Sequence, residues 1–223
     1  MKGEQKVAVV TGGQGTLARA LVLALEAEGW RVHAPGRDML NVTDSSRVRD
    51  FFASLERVDL LVNQAAVIED GLMVKMEGGA FESVIDVSLT GAFHCAREVL
   101  KLMCRQQSGH LIQVGSYAAR QGTAGQSNYA AAKAGLIGLT QSIAHEYGAR
   151  NVRSNCVLPG LLQTRMTAEL LSCRDKRLAF EEQHALRRLN TVDDAARFMV
   201  FLDTMSHVSG QVFQLDSRIG RWT

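Results

Sequence analysis

Proline and aromatic side chains are scarce in this sequence, with two prolines and 6% Phe, Trp and Tyr among 223 residues. Neither proline sits in a Pro/Ser/Gly tract of the kind that joins domains, so one domain spanning 1–223 is expected. The four cysteines, Cys95, Cys104, Cys156 and Cys173, form no C-x-x-C pair and have no histidine at metal-ligand spacing. That argues against a zinc site and a disulfide framework, and for reduced, buried thiols. The six histidines show no ligand spacing either, so no metal is expected. No charge of one sign is in excess: 25 Lys and Arg face 23 Asp and Glu, scattered along the chain. This removes the electrostatic footprint of a nucleic-acid binder and leaves a small soluble ligand as the expected partner. No apolar run approaches the ~20 residues needed to cross a bilayer. The opening MKGEQKVAVV lacks the apolar core of a signal peptide, so a cytoplasmic location without a membrane partner is expected.

What is present is 46% hydrophobic residues, enough for one large core. Short β-branched or aliphatic runs (VAVV, RVHA, DLLVNQA, GHLIQVGS, VRSNCVL, GQVFQLD) alternate with longer segments of helical period. This predicts a doubly wound α/β fold, Rossmann-like, with a parallel sheet of about seven strands and six or more helices on its two faces. No internal repeat or low-complexity segment interrupts it. In such sheets ligands bind outside the carboxyl ends of the strands, which gives weight to 11–18, 63–66, 115–116 and 159–164.

The first of these reads Thr11-Gly-Gly-Gln-Gly-Thr-Leu-Ala18, at a strand-to-helix turn. From Gly13 it gives G-x-G-x-x-A, the general dinucleotide fingerprint; from Thr11 it gives a different glycine pattern with two glycines replaced. No G-K-[ST] follows, so a nucleotide-dependent kinase lacks its lysine. Tyr129 and Lys133 form Y-x-x-x-K in a helical segment, one turn apart on one face. A phenol with a reference pKa near ~10 needs a neighbouring cation to serve as an acid or base at neutral pH, and Lys133 can be that cation. Such a pair also arises on solvated helix surfaces. Ser116, at the end of HLIQV, adds a hydroxyl able to bond a substrate carbonyl and the tyrosine oxygen, although a turn serine is the plainer alternative.

With those residues in view, the chain resembles the short-chain dehydrogenases/reductases over nearly its whole length, and the 3-oxoacyl-carrier-protein reductase-like group in general texture. The Thr11-Gly12 opening, VNQAA at 62–66, Ser116, YAAAK at 129–133, RSNCVLPGLLQT at 153–164, RLNTVDDAARFMVFL at 188–202 and SGQVFQLD at 209–216 occur in the family's order and spacing. The resemblance implies hydride transfer between a nicotinamide cofactor and a carbonyl or secondary alcohol. It makes Tyr129 the general acid/base, Ser116 the holder of the substrate oxygen, and Lys133 a ribose ligand that lowers the tyrosine pKa. It also implies cofactor contacts from Gly12, Gly13, Gln14, Gly15, Thr16, Leu17, Arg37, Asn41, Val42, Asn63, Ala65, Tyr129, Lys133, Pro159, Gly160 and Thr164. A substrate lid at about 165–190 follows from it, as does a homotetramer or homodimer joined through helices near 88–106 and 129–147.

The family frame, T-G-x-x-x-G-x-G, starts at Thr11, which places Thr16 and Ala18 on its second and third glycines. Ala18 is a mild change, whereas Thr16 sets a β-branched side chain where backbone approaches the pyrophosphate. Ser88 stands where the family has an asparagine of its proton relay, and Asn63-Gln-Ala-Ala66 replaces N-N-A-G. VHAPGRDMLNVTD runs almost directly to the third strand, so an intervening helix is expected to be shortened or lost. At the end of the second strand Gly36 takes the acidic position and Arg37 follows, which favours NADP(H) over NAD(H). A dinucleotide-binding protein with little catalysis is the competing reading, prompted by Thr16 and Ser88. Trp30 and Trp222 read as packing or interface residues, the methionines as core filler, and CRDKRLAFEEQHALRR as a solvated helix.

Overall fold

All six apolar runs named above form strands in the computed structural model, which describes residues 4–219: β1 (Val7–Val10), β2 (Arg31–His33), β3 (Leu60–Asn63), β4 (Gly109–Val114), β5 (Val152–Leu158) and β6 (Val212–Gln214). Every residue of β3 and β4 is buried, which is why these strands read as continuous apolar runs and not as alternating ones. The helices are α1 (Thr16–Ala27), α2 (Ser45–Ala53), α3 (Gly78–Ile85), α4 (Gly91–Gln106), α5 (Ala118–Gln121), α6 (Ser127–Tyr147), α7 (Ala168–Ser172), α8 (Arg174–Glu182) and α9 (Val192–Thr204). Trp222 lies outside the described residues.

The sheet is parallel throughout, in the order β2-β1-β3-β4-β5-β6. From β1 the chain winds outward to β2 and then returns to β3 on the other side, so the crevice between the ends of β1 and β3 is the switch point. One expectation changes here. Among the described residues the sheet has six strands, not about seven. As expected, no helix lies within the short connection after β2: residues 34–44 carry none, and the nine-residue α2 begins only at Ser45. β2 is one edge of the sheet.

The sheet's two faces carry two cores. Ala8, Val10, Leu60, Val62, Ile112, Val114 and Val157 meet α1 and α9 through Leu21, Leu25, Met199 and Leu202, with Trp30 buried among them. Val9, Leu61 and Leu111 meet α2, α4 and α6 through Phe52, Val99, Met103 and Ile143. The alternation of 8, 9 and 10 between the faces is the period-two signature of a strand. In α1 the buried Leu17, Leu21 and Leu25 recur every four residues, and Gly29, at φ +79°, ends that helix. At the start of α9, Thr191 accepts a hydrogen bond from Asp194 N at 3.0 Å.

At the amino ends of the strands, opposite the crevice, lies a buried polar network. His110, 0% exposed, donates through Nδ1 to Asp203 Oδ1 at 3.2 Å. The Asn155 amide donates to His110 Nε2 at 3.0 Å and to the Val208 carbonyl, while its oxygen accepts from Gln211 N. This fixes the neutral Nδ1–H tautomer. Lys6 and Arg153 complete the shell around Asp203.

Cysteine placement departs from the expectation of four buried thiols. Cys95 and Cys156 are buried, but Cys104 is half-buried and Cys173, between α7 and α8, is exposed. No α8 residue is buried, in line with a solvated helix. Among the described residues no group of His, Cys, Asp and Glu suits a metal, and no helix is long and apolar enough to cross a membrane.

Candidate active site

The turn after β4 and the first turns of α6 meet at the carboxyl end of the sheet. Ser116 lies two residues past β4, and its Oγ accepts from Ala118 N at 3.2 Å, which shapes the turn into α5. The Ser116 hydroxyl also stands near enough to the Tyr129 phenol to favour its ionisation. Lys133, one helical turn on from Tyr129, is 2% exposed, with Nζ 5.6 Å from the tyrosine ring centroid. Its ammonium donates to the Val114 carbonyl at 2.7 Å, just before the serine turn. The structure therefore brings Ser116, Tyr129 and Lys133 together.

Electrostatics in this corner are dominated by burial. Burial pushes the phenol up to about 12, against the Ser116 hydrogen bond and with the Asp70 charge. The lowering of Tyr129 expected from Lys133 is thus not the net effect, because desolvation outweighs it and Nζ is spent on Val114. Burial brings Lys133 itself down to about 8, with the Cys156 thiol beneath it acting the other way. That thiol is raised to about 11 by its own burial.

Across the crevice, Gly12 takes φ +68°, and a Cβ there would lie 3.0 Å from Ala65 Cα. Gly13 N donates to the Pro35 carbonyl, and a Cβ on Gly13 would lie 2.0 Å from Ala34 O, so the turn presses on the end of β2. Gly15 N closes on Gly12 O at 2.9 Å, and Gly15 caps α1 without a side-chain acceptor or an acidic residue in the first turn. That first turn therefore offers backbone N–H groups and a positive dipole end to an anion. Thr16 is exposed, and its Oγ1 accepts from Arg165 N at 3.4 Å. Gln14 lies over Gly36. Arg37 is exposed, with no hydrogen bond or ion pair among the described residues.

Several expected cofactor residues have partners within the protein. The Leu17 side chain belongs to the core, so only its backbone can serve a ligand. Val42 is packed on Gly91, and its carbonyl accepts from His94. Asn41 accepts from Thr43 N and Oγ1. Asn63 donates to Ala92 O and Gln113 Oε1, both at 3.1 Å, tying β3 to β4 and α4. Ser88 lies on one turn of π-helix, Asp86–Thr90, between α3 and α4, where its buried hydroxyl has no partner. No bond joins it to the Ser116–Tyr129 pair. Pro159 O accepts from Asn190 Nδ2, Gly160 sits at φ +86° against Asp216, and Thr164 N donates to Thr167 Oγ1.

Sequence reasoning missed two residues that hold the crevice. Thr11 Oγ1 accepts from Gln64 N at 3.0 Å and Ala65 N at 3.1 Å, lacing the glycine turn to the end of β3. Asn128 is fully buried and donates to Glu69 O and Ala80 O, fixing the loop beside Tyr129. Both contacts span about fifty residues or more, which spacing within one segment cannot reveal.

The arrangement pairs a donor–acceptor hydroxyl site with an anion-receptive turn at the carboxyl end of the sheet. A family described as enoyl-(acyl carrier protein) reductase matches residues 8–217. The chain is 33% identical to the 3-oxoacyl-(acyl-carrier-protein) reductase FabG of Thermotoga maritima, over 97% of this chain and 98% of that protein. It is 32% identical to nodulation protein G of Rhizobium meliloti, over 94% of each. A crystal structure described as a candidate NAD(P)-dependent gluconate 5-dehydrogenase of Beutenbergia cavernae, with NADP bound at low occupancy, superposes with a TM-score of 0.90 at 27% identity, covering 95% of each chain. The chain belongs to the short-chain dehydrogenase/reductase family, NAD(P)-dependent oxidoreductases that interconvert a carbonyl and a secondary alcohol.

Proposed function

We propose that this protein is a single-domain, NADPH-preferring reductase of a small carbonyl substrate, working in the cytoplasm as a homodimer or homotetramer, with Tyr129 as the proton donor. The observation that carries this reading is the joined Ser116, Tyr129 and Lys133 beside an uncapped helix end. Relatives named as 3-oxoacyl-(acyl-carrier-protein) reductases make a 3-oxoacyl thioester the first substrate class to try, and a sugar acid such as gluconate the second.

The cofactor fits the residues present. The first-turn N–H groups of α1 suit a pyrophosphate, and Gly12 allows the close turn beneath it. Unpaired Arg37 at the end of β2 suits a 2′-phosphate, although Asp38 beside it is acidic. Lys133 would hold the ribose, while Pro159, Gly160 and Thr164 would border the nicotinamide. Bound there, NADP(H) supplies or accepts the hydride.

The chain's own residues handle the oxygen. Ser116 Oγ donates to the substrate carbonyl and holds it against the phenol, and Tyr129 then gives its proton to that oxygen as charge develops. A phenol raised to about 12 is fully protonated at neutral pH, which suits donation and so favours reduction. The ammonium of Lys133 steadies the phenolate left behind. Residues 165–190, in which His184 is buried, would cover the substrate as a lid.

Tyr129→Phe is expected to lower kcat by roughly 10²–10⁴-fold, the usual worth of a general acid, with NADPH affinity unchanged. NADPH oxidation over a carbonyl panel measures it, and equal rates for the two proteins would sink the mechanism.

A further inference from the structure

Behind the Ser116 turn lies a charged cluster that the reading above leaves unused. Asp216, two residues past β6, has a fully enclosed carboxylate. Its Oδ2 accepts from Arg218 Nε at 2.8 Å and from a terminal nitrogen of the same guanidinium. Its Oδ1 accepts from Gln214 Nε2 at 2.8 Å and Arg218 N at 3.1 Å. Burial by itself would raise this carboxyl, yet Arg218 and Gln214 hold it below its ordinary value.

The guanidinium of Arg218 lies 3.5 Å from the centroid of the Tyr117 ring, the residue next to Ser116. A Cβ on Gly160 would come within 2.8 Å of Asp216 Cβ, so the same segment also backs the Pro159-Gly160 turn. On its other side stands the end of the 165–190 segment. His184 Nε2 is buried without a hydrogen-bond partner, 3.8 Å from Asp216 Oδ2. Ala185 N and Leu186 N donate to Ser217 O at 2.9 Å and Ser217 Oγ at 3.1 Å.

An enclosed ion pair is a poor source of stability, because desolvation cancels most of its attraction. Its strength is geometric, since a planar guanidinium forked onto a carboxylate and laid on a ring holds that ring in one orientation. We propose that Arg218 is a positioning residue: gripped by Asp216, it fixes Tyr117 and through it the turn that presents Ser116 to the substrate oxygen. This rests on the role given to Ser116 above. Through Ser217 the same segment is bonded to the end of the lid.

A double-mutant cycle tests it, with steady-state kinetics on NADPH and an acetoacetyl thioester for the wild type, Ser116→Ala, Arg218→Ala and the double variant. NADPH affinity by calorimetry and melting temperature are read for each. Arg218→Ala is expected to lower kcat roughly 10- to 100-fold, the effect of about 1 Å of misplacement, with KM and NADPH affinity little changed. In the Ser116→Ala background the same substitution is expected to add almost nothing. Should Arg218→Ala fail to fold, Tyr117→Leu removes the ring, leaves the ion pair and is expected to give the same loss of kcat. Losses that multiply in the double variant, an unchanged kcat, or a fall in NADPH affinity matching the fall in kcat would overturn the proposal while leaving Ser116 in its role. Wild-type kcat in Ser116→Ala would overturn that role and this inference together.

Discussion

Burial drives Tyr129 and Lys133 in opposite directions, and the gap between them is where this site operates. With Lys133 near 8 and Tyr129 near 12, the ammonium is lost as pH rises through about 8 while the phenol keeps its proton. For the free enzyme, kcat/KM for reduction is expected to be level near neutral pH and to fall above about 8, as a pH–rate profile would record. A profile level to about pH 10 would contradict the part given to Lys133. Arg37→Ala is expected to weaken NADPH about tenfold or more, a charged hydrogen bond being worth about 1.5–3 kcal/mol, and to leave NADH alone. Equal losses for both would remove Arg37 from the 2′-phosphate. Thr16→Gly is expected to leave NADPH affinity unchanged or tighter, because the Thr16 hydroxyl is turned to Arg165 N. Spacing made Tyr129, Lys133 and Ser116 legible, since one helix and one strand end carry them. Thr11 and Asn128 were not legible, because their partners arrive from other elements.

Helices and strands were readable where a period ran unbroken. In α1 the four-residue recurrence of Leu17, Leu21 and Leu25 states both the helix and its buried face. Leu21→Ala is expected to cost about 2–5 kcal/mol, seen as a lower urea midpoint, because the cavity opens in a packed core against β1 and α9. A cost under about 1 kcal/mol would mean that the core collapses around it. The π-turn at Ser88 was illegible for a physical reason. Residues 81–106 keep an apolar face across the extra residue, so no gap in the pattern marks where α3 yields to α4. Among the described residues the sheet stops at six strands, with the three-residue β2 and β6 as its two edges.

At the scale of the whole molecule, the His110 network sets how the fold responds to acid. Burial, as the largest influence, holds His110 below its ordinary 6.5, so the unfolded chain binds that proton more readily than the folded one. Burial would raise Asp203, but its bond and charge contact with His110, with help from Lys6, keep it below 3.8. Both signs agree: the His110 contribution is complete above 6.5 and lost as pH falls below it, and the Asp203 contribution is lost below 3.8. Unfolding free energy is expected to decline from about pH 6.5 downward, with a shallower decline in His110→Gln, as urea titrations at several pH values would show. An identical slope in that variant would assign the acid response elsewhere. The edge position of β2 has a different consequence. That end of the crevice closes on a three-residue strand, past which Ala34 and Pro35 still pack inward while Arg37 and Asp38 stand exposed. Substitutions at Arg37 and Asp38 are therefore expected to shift the preference between the two nicotinamide cofactors in binding titrations, with the urea midpoint unchanged.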